Sequence, residues 1–115
     1  MFETSLRKVG NIVIVDLRGE KLMNSGTETL DLVTDLLARG ETRILLNYEG
    51  VTYIDSWGVG EIVSCFTRAS NHHARLKLLN PRQHLLEILE HSQLDRVLEC
   101  FFDEARALAS FDTGS

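Results

Sequence analysis

The stretch of residues 51–60 constrains the fold more than any other part of the chain. It contains an extended apolar approach, an acidic residue, a hydroxyl residue and the glycine-spaced start of a helix. Apolar residues then recur with the three-and-four spacing of one helical face, at Val59, Ile62, Val63 and Phe66. The pattern predicts a strand that passes directly into a helix, with Asp55 and Ser56 at the helix N-terminus. Free backbone N–H groups and the positive end of the helix dipole favour an anion at that position.

Strands and helices alternate along the rest of the chain, after an opening hairpin. Residues 12–17 are rich in β-branched side chains, which is typical of a buried strand. Other strands are predicted at 3–8, 43–47, 75–79 and 97–100, with Gly50 as a strand break and 19–24 as a loop. Helices are predicted at 25–38 and from residues 55–56 to about 71. Two more are predicted, one after Pro81 and one from Asp103. Ser25 or Asn24 is expected to cap the first helix, because Glu28 would complete a capping box with Ser25.

This alternation predicts an α/β sandwich in which a mixed, mostly parallel sheet with an N-terminal hairpin strand is covered by about four helices. The length of 115 residues suits one domain over residues 1–115, and the tail at about 111–115 is expected to fray.

Composition excludes several classes of function. The net charge of −5 without a basic cluster argues against nucleic acid and against an anionic membrane surface. No run approaches the roughly 20 apolar residues that span a bilayer, so we expect a cytoplasmic protein. Cys65 and Cys100 suit reduced thiols, and no metal spacing, Gly-rich phosphate loop or nucleophile–base pair is present. We therefore expect no cofactor, no metal and no enzymatic activity.

Residues 53–60, Tyr-Ile-Asp-Ser-Trp-Gly-Val-Gly, resemble the signature of the STAS domain family of bacterial anti-sigma factor antagonists. The family pattern is an apolar residue followed by Asp-Ser-Ser/Thr-Gly-Leu/Val-Gly, and the similarity runs from about Val13 to Leu108. The resemblance implies the STAS fold. It also implies a regulatory module that binds an anti-sigma factor or serine kinase and is subject to phosphorylation at Ser56.

Two interpretations of Ser56 compete. Serine is a common helix cap, and losing a cap typically costs about 1 kcal/mol. The other interpretation is that Ser56 accepts a phosphoryl group from a partner kinase. Asp55 has a similar pair of interpretations. It can bond the backbone N–H groups that follow it, or it can orient the Ser56 hydroxyl while the kinase supplies nucleotide and metal.

Trp57 departs from the family pattern, which has Ser or Thr at this position. Either Ser56 remains the acceptor and Trp57 anchors an interface, or the switch is lost and binding is constitutive. The simpler alternative, that Trp57 packs into the core, is disfavoured because the residue lies off the apolar helical face. The predicted partner-binding surface comprises Asp55, Ser56, Trp57, Gly58, Met23 and Asn24.

A second functional class remains open. The domain could serve, without phosphorylation, as a scaffold subunit of a stress-sensing complex or of a lipid-transport ABC system. Trp57 favours this alternative, as does Asn47, which stands where the family often has Asp. A homodimer is compatible with the sequence, which does not decide the oligomeric state.

Overall fold

The computed structural model describes residues 2–22 and 25–112. Its strands are β1 Phe2–Val9, β2 Ile12–Lys21, β3 Arg43–Ile54, β4 Arg75–Leu79 and β5 Cys100–Phe101. Its α-helices are α1 Glu28–Ala38, α2 Ser56–Asn71, α3 Gln83–His91 and α4 Glu104–Ser110, and a 3₁₀ turn spans Leu94–Arg96.

The five strands form one sheet in the order β1-β2-β3-β4-β5. Strands β1 and β2 pair antiparallel, and the remaining pairs are parallel. The hairpin turns through Gly10, whose φ of +61° lies in the left-handed region that glycine adopts without strain. The predicted mixed sheet with an N-terminal hairpin strand and four covering helices is therefore confirmed.

The period-two alternation of the strands divides the core between the two faces of the sheet. In β2, Val13, Val15 and Leu17 belong to the larger apolar cluster, which includes residues of α1, α2 and α3. Ile12 and Ile14 point to the other face, where they pack with Ala107 and Phe111 near the C-terminus. Three helices thus cover one face, and α4 covers part of the other.

Strands β2 and β3 are longer than predicted. The loop predicted at 19–24 begins later, because β2 continues to Lys21, and β3 continues through Gly50 to Ile54. Gly50 is not a strand break. A Cβ at Gly50 would lie 2.4 Å from Arg18 Cγ and 2.8 Å from the Leu17 carbonyl oxygen, so glycine lets the two strands approach where their register shifts. Met23 and Asn24 lie outside the described residues.

The predicted cap of α1 was wrong. Thr27 occupies the N-cap position, and its side chain makes no capping hydrogen bond. The Ser25 hydroxyl instead accepts a hydrogen bond from the Leu22 N–H (3.0 Å) and lies 3.2 Å from the Glu20 carbonyl oxygen, to which it donates. The Ser25 side chain therefore bonds back to the end of β2 and its neighbour Leu22, and it does not start the helix.

Two predictions near the C-terminus also fail. The last strand is Cys100–Phe101 rather than 97–100, and Val97 is exposed. Phe111, predicted to begin a frayed tail, is fully buried. Its carbonyl oxygen accepts a hydrogen bond from Arg75, and its ring lies beneath the Lys77 ammonium. A large aromatic side chain with an apolar pocket available gains more from burial than the chain end loses in freedom.

Candidate functional site

The corner between β3 and α2 is fixed by Asp55. Asp55 is the N-cap residue of α2, with extended backbone, and its Oδ1 accepts a hydrogen bond from the Gly58 N–H at 3.1 Å. Its own N–H donates to the Lys21 carbonyl oxygen at 3.2 Å, which joins the corner to the end of β2. The interpretation of Asp55 as a turn residue that bonds following N–H groups is confirmed. Ser56 is not the helix cap, so that alternative is excluded.

Ser56 is the first residue of α2, and its side chain is exposed. The preceding cap position holds a carboxylate, and the first-turn N–H groups of the helix point toward this end. A group attached to the Ser56 hydroxyl would therefore project into solvent from the positive end of the helix dipole, close to the Asp55 carboxylate.

Trp57 is half-buried rather than fully exposed. It does not belong to either core cluster of buried residues. It lines a surface groove between the start of α1 and the start of α2, which we call the corner groove. The residues that line the corner groove are Thr27, Leu30, Ser56, Trp57, Gly60, Glu61 and Ser64. Trp57 thus offers part of its indole to solvent beside Ser56.

Gly58 is buried and has a structural reason to be glycine. A Cβ at this position would lie 2.5 Å from Ile54 Cγ1 and 3.0 Å from the Lys21 carbonyl oxygen. Absence of a side chain lets α2 start close against the ends of β2 and β3. Gly58 therefore shapes the corner, while Ser56 and Trp57 form its outer surface.

A buried ion pair, which the sequence did not lead us to expect, lies behind the corner. Lys21 Nζ is 3.2 Å from Glu61 Oε1, and the two side chains are 1% and 2% exposed. The Glu61 Oε2 atom accepts a hydrogen bond from the Leu30 N–H at 3.1 Å. The signal for Glu61 was present, since it lies three residues after Gly58 and four before Cys65 on one helical face.

Glu61 takes over the role of a helix cap for α1. Leu30 is the third residue after the N-cap, and its N–H is one of those that have no partner within the helix. The Thr27 hydroxyl donates instead to Asp31 Oδ2 at 3.0 Å. A carboxylate from α2 therefore fixes where α1 begins, and with it one wall of the corner groove.

Asn47 does not belong to the corner. Its amide donates to Asp16 Oδ1 at 2.8 Å, on the sheet face that carries α4. Arg7 joins the same cluster with hydrogen bonds to Asp16 and Glu104. These bonds from Arg7 hold the pKa values of both carboxyl groups below their ordinary values, against the opposing effect of burial.

The two thiols are poor nucleophiles. Burial raises the pKa of Cys65 to about 12 and that of Cys100 to about 11, so both remain protonated at neutral pH. Within residues 2–22 and 25–112, no three His, Cys, Asp or Glu side chains come together in a way that would hold a metal ion. Across the same residues, no helix has the length and apolar character that crossing a membrane requires.

The fold and the sequence around the corner together identify the class of protein. The family model for the STAS domain matches residues 3–107. This chain therefore belongs to the STAS domain family. A sequence search among curated proteins gives no significant match.

Solved structures share the fold at low sequence identity. TM1081 of Thermotoga maritima, described as an anti-sigma factor antagonist, superposes with a TM-score of 0.86 at 23% identity, covering 93% of this chain and 92% of TM1081. The phosphorylated form of the Bacillus cell fate determinant SpoIIAA gives a TM-score of 0.76 at 22% identity, covering 95% and 99%. An anti-sigma factor antagonist from Mycobacterium paratuberculosis gives 0.85 at 12% identity, covering 96% and 93%.

Proposed function

We propose that this chain is a cytoplasmic regulatory module that binds an anti-sigma factor with serine kinase activity, and that phosphorylation of Ser56 switches this binding. The module itself is not an enzyme and needs no cofactor. The proposed partner surface is the corner formed by Asp55, Ser56, Trp57 and Gly58, together with Met23 and Asn24, which lie outside the described residues.

The observation that carries the proposal is the exposure of Ser56 at the first position of α2, beside a half-buried tryptophan. A kinase active site must reach the acceptor hydroxyl, and a serine in this place is reachable. Tryptophan is one of the residue types that are enriched at the hot spots of protein interfaces. Because Asp55 already caps the helix, Ser56 is free of that structural task.

The physical basis of the switch is the charge that phosphorylation adds. A phosphoserine carries about −1.5 to −2 charges at pH 7. At the start of α2 the helix dipole tolerates this charge in water. In a complex the phosphate would be desolvated next to the Asp55 carboxylate, which disfavours binding. One relative, SpoIIAA, has been solved in both phosphorylated and unphosphorylated forms, so such a modification is compatible with the fold.

The test uses purified anti-sigma factor kinases encoded in the same genome. Each is mixed with the chain and ATP, and the intact chain and its peptides are analysed by mass spectrometry. The proposal predicts one phosphate, on Ser56, and loss of the complex once it is attached. Ser64, which also lies in the corner groove, serves as a matched control through the variants Ser56→Ala and Ser64→Ala. Phosphate on another residue, or none with every kinase, would reject the switch.

A second function is favoured by one specific feature, the tryptophan that replaces the second hydroxyl of the family pattern. In this alternative the domain is a scaffold subunit of a stress-sensing complex or a lipid-transport ABC system, and binding is constitutive. A pull-down of the unphosphorylated chain with purified components of either assembly separates the two functions. Stable binding to a partner of either assembly with Ser56 unmodified would support the scaffold role.

A further inference from the structure

Gly60 has no structural reason within the described chain to be glycine. A Cβ at this position would meet no atom within 4 Å, in contrast to Gly58, where a Cβ would be 2.5 Å from Ile54. Gly60 is exposed and lies inside α2, not at an end. Glycine weakens a helix interior relative to alanine. Contacts with the described residues therefore do not account for the missing side chain, which leaves space on the surface of α2 for a partner.

The surroundings of Gly60 indicate which kind of partner element would fit beside it. Residues four apart on a helix form the rows between which a packed helix inserts its side chains. The row that contains Gly60 also contains Ser56, Ser64 and Arg68. Its first three members line the corner groove, and Ser64 and Arg68 line its continuation toward His72. The surface of α2 is low along the start of this row, because the side chains there are small.

The α1 side of the groove is acidic. Glu28 and Asp31 lie in the first turn of α1. Asp31 is held at the rim of the groove, because the Thr27 hydroxyl, which lines the groove, donates to its carboxylate. Trp57 on α2 and Leu30 on α1 add apolar surface to the lining of the groove. A complementary occupant has a small or apolar face and a basic residue near the start of α1.

We infer that the corner groove receives a basic, amphipathic helix of the partner, which crosses α2 at Gly60. This inference rests on the proposed function and names the element that the partner inserts. Close approach of two helix backbones requires a small residue at the crossing point, which Gly60 supplies. Ser56 heads the same row, so a phosphate there would lie at the end of the groove that the partner helix enters.

The test replaces Gly60 by larger residues and uses the purified anti-sigma factor kinase that binds the wild-type chain. Gly60→Ala should leave the urea midpoint of the free chain unchanged or higher, because it removes a helix-weakening glycine without a clash. Gly60→Leu should leave the fold intact and weaken binding about tenfold or more, since it fills the crossing point. Ser70→Leu, an exposed position on the same helix outside the groove, should bind as the wild type does.

A charge reversal and a cross-link define the occupant. Asp31→Lys should weaken binding, and Glu87→Lys on α3 should not. A photo-reactive residue at Ser64 should cross-link to a helical segment of the kinase that contains Lys or Arg.

These outcomes distinguish a failure of the inference about the partner helix from a failure of the proposed function. If the kinase binds the wild type and Gly60→Leu equally well, or if the cross-linked segment is acidic or extended, the inference is overturned and the proposed function stands. If no kinase binds the wild-type chain, the proposed function fails and the inference with it. A lowered urea midpoint for Gly60→Ala would also overturn the inference, because the glycine would then serve the fold.

Discussion

Lys21 and Glu61 form an ion pair with 3.2 Å between Nζ and Oε1, almost entirely removed from solvent. The contact is ionic, because Oε1 has no partner in hydrogen-bonding geometry among the described residues. Lys21 also donates to the Gly26 carbonyl oxygen at 3.0 Å and lies 4.4 Å from the centroid of the Phe2 ring. The pair connects the end of β2, the start of α1 and the second turn of α2, so it holds the corner together from behind.

Removing one member of this pair should destabilise the fold strongly. Lys21→Met leaves the Glu61 carboxylate buried without a cation, and loss of one partner of a buried pair costs about 3–5 kcal/mol. The double variant Lys21→Met with Glu61→Gln keeps an acceptor for the Leu30 N–H and buries no charge. It should recover much of the loss. Urea unfolding of the three proteins measures these differences.

The exposed pair of Lys8 and Glu41 provides the control. Its atoms are 3.0 Å apart, but the lysine side chain is 55% exposed. Lys8→Met should change the free energy of unfolding by less than about 1 kcal/mol. Equal effects of Lys21→Met and Lys8→Met would mean that the buried pair does not organise the corner.

The two glycines of the corner should respond in opposite ways to alanine. Gly58→Ala places a Cβ within 2.5 Å of Ile54 Cγ1, so α2 must shift relative to the strands. We expect a loss of about 1–3 kcal/mol in the free energy of unfolding, as for other overpacked sites. Gly60→Ala is the matched control and should lose nothing. Thermal unfolding of both variants decides the matter, and a neutral Gly58→Ala would contradict the close packing at the corner.

Much of the fold could be predicted from local sequence pattern. The β-branched run in β2 and the three-and-four spacing in α2 identified the element types, since each pattern matches one geometry. The end of β3 was missed because Gly50 signals a turn locally, while its actual role depends on Arg18 in the neighbouring strand. The burial of Phe111 likewise depends on Arg75 and Lys77, which are distant in sequence.

The candidate site was predicted less completely. The motif located Asp55, Ser56 and Trp57, because their neighbours in sequence are also their neighbours in space. It could not reveal the contact between Lys21 and Glu61, which are forty residues apart. Nor could it show that Asn47 turns to the other face of the sheet, because that depends on the strand register.

Stability should fall in acid partly through the cluster of Arg7, Asp16 and Glu104. Hydrogen bonds from Arg7 lower the folded-state pKa of both carboxyl groups. A lowered folded-state pKa gives stability that is present above the unfolded-state pKa, about 4, and is lost as pH falls through the folded-state pKa. Arg7→Met should therefore cost stability at pH 7, by roughly 1 kcal/mol because Arg7 is partly exposed.

The pH dependence distinguishes this cause from a loss of packing. The difference between wild type and Arg7→Met should shrink as pH falls from about 5 to 2 in denaturant titrations, as both carboxyl groups become neutral. Arg39→Met, which breaks an exposed i,i+4 pair with Asp35, serves as the control for a surface ion pair. A difference that stays constant with pH would contradict an electrostatic role for Arg7.

Trp57→Ala should weaken the complex with the anti-sigma factor while leaving the fold intact. Truncating a tryptophan at an interface hot spot typically costs about 2 kcal/mol or more. Since Trp57 is half-buried outside both core clusters, the free chain should lose little stability. Calorimetric titration measures the affinity, and circular dichroism verifies the fold. Unchanged affinity would remove Trp57 from the interface.

Hydrogen exchange of the chain with and without its anti-sigma factor tests the proposed surface most directly. Mass spectrometry of the peptides reports where the partner slows exchange of backbone N–H groups. Binding at the corner predicts added protection over residues 55–64 and the first turn of α1, and none of this protection when Ser56 is phosphorylated. Protection confined to β1 or α4, with residues 55–64 unchanged, would contradict it.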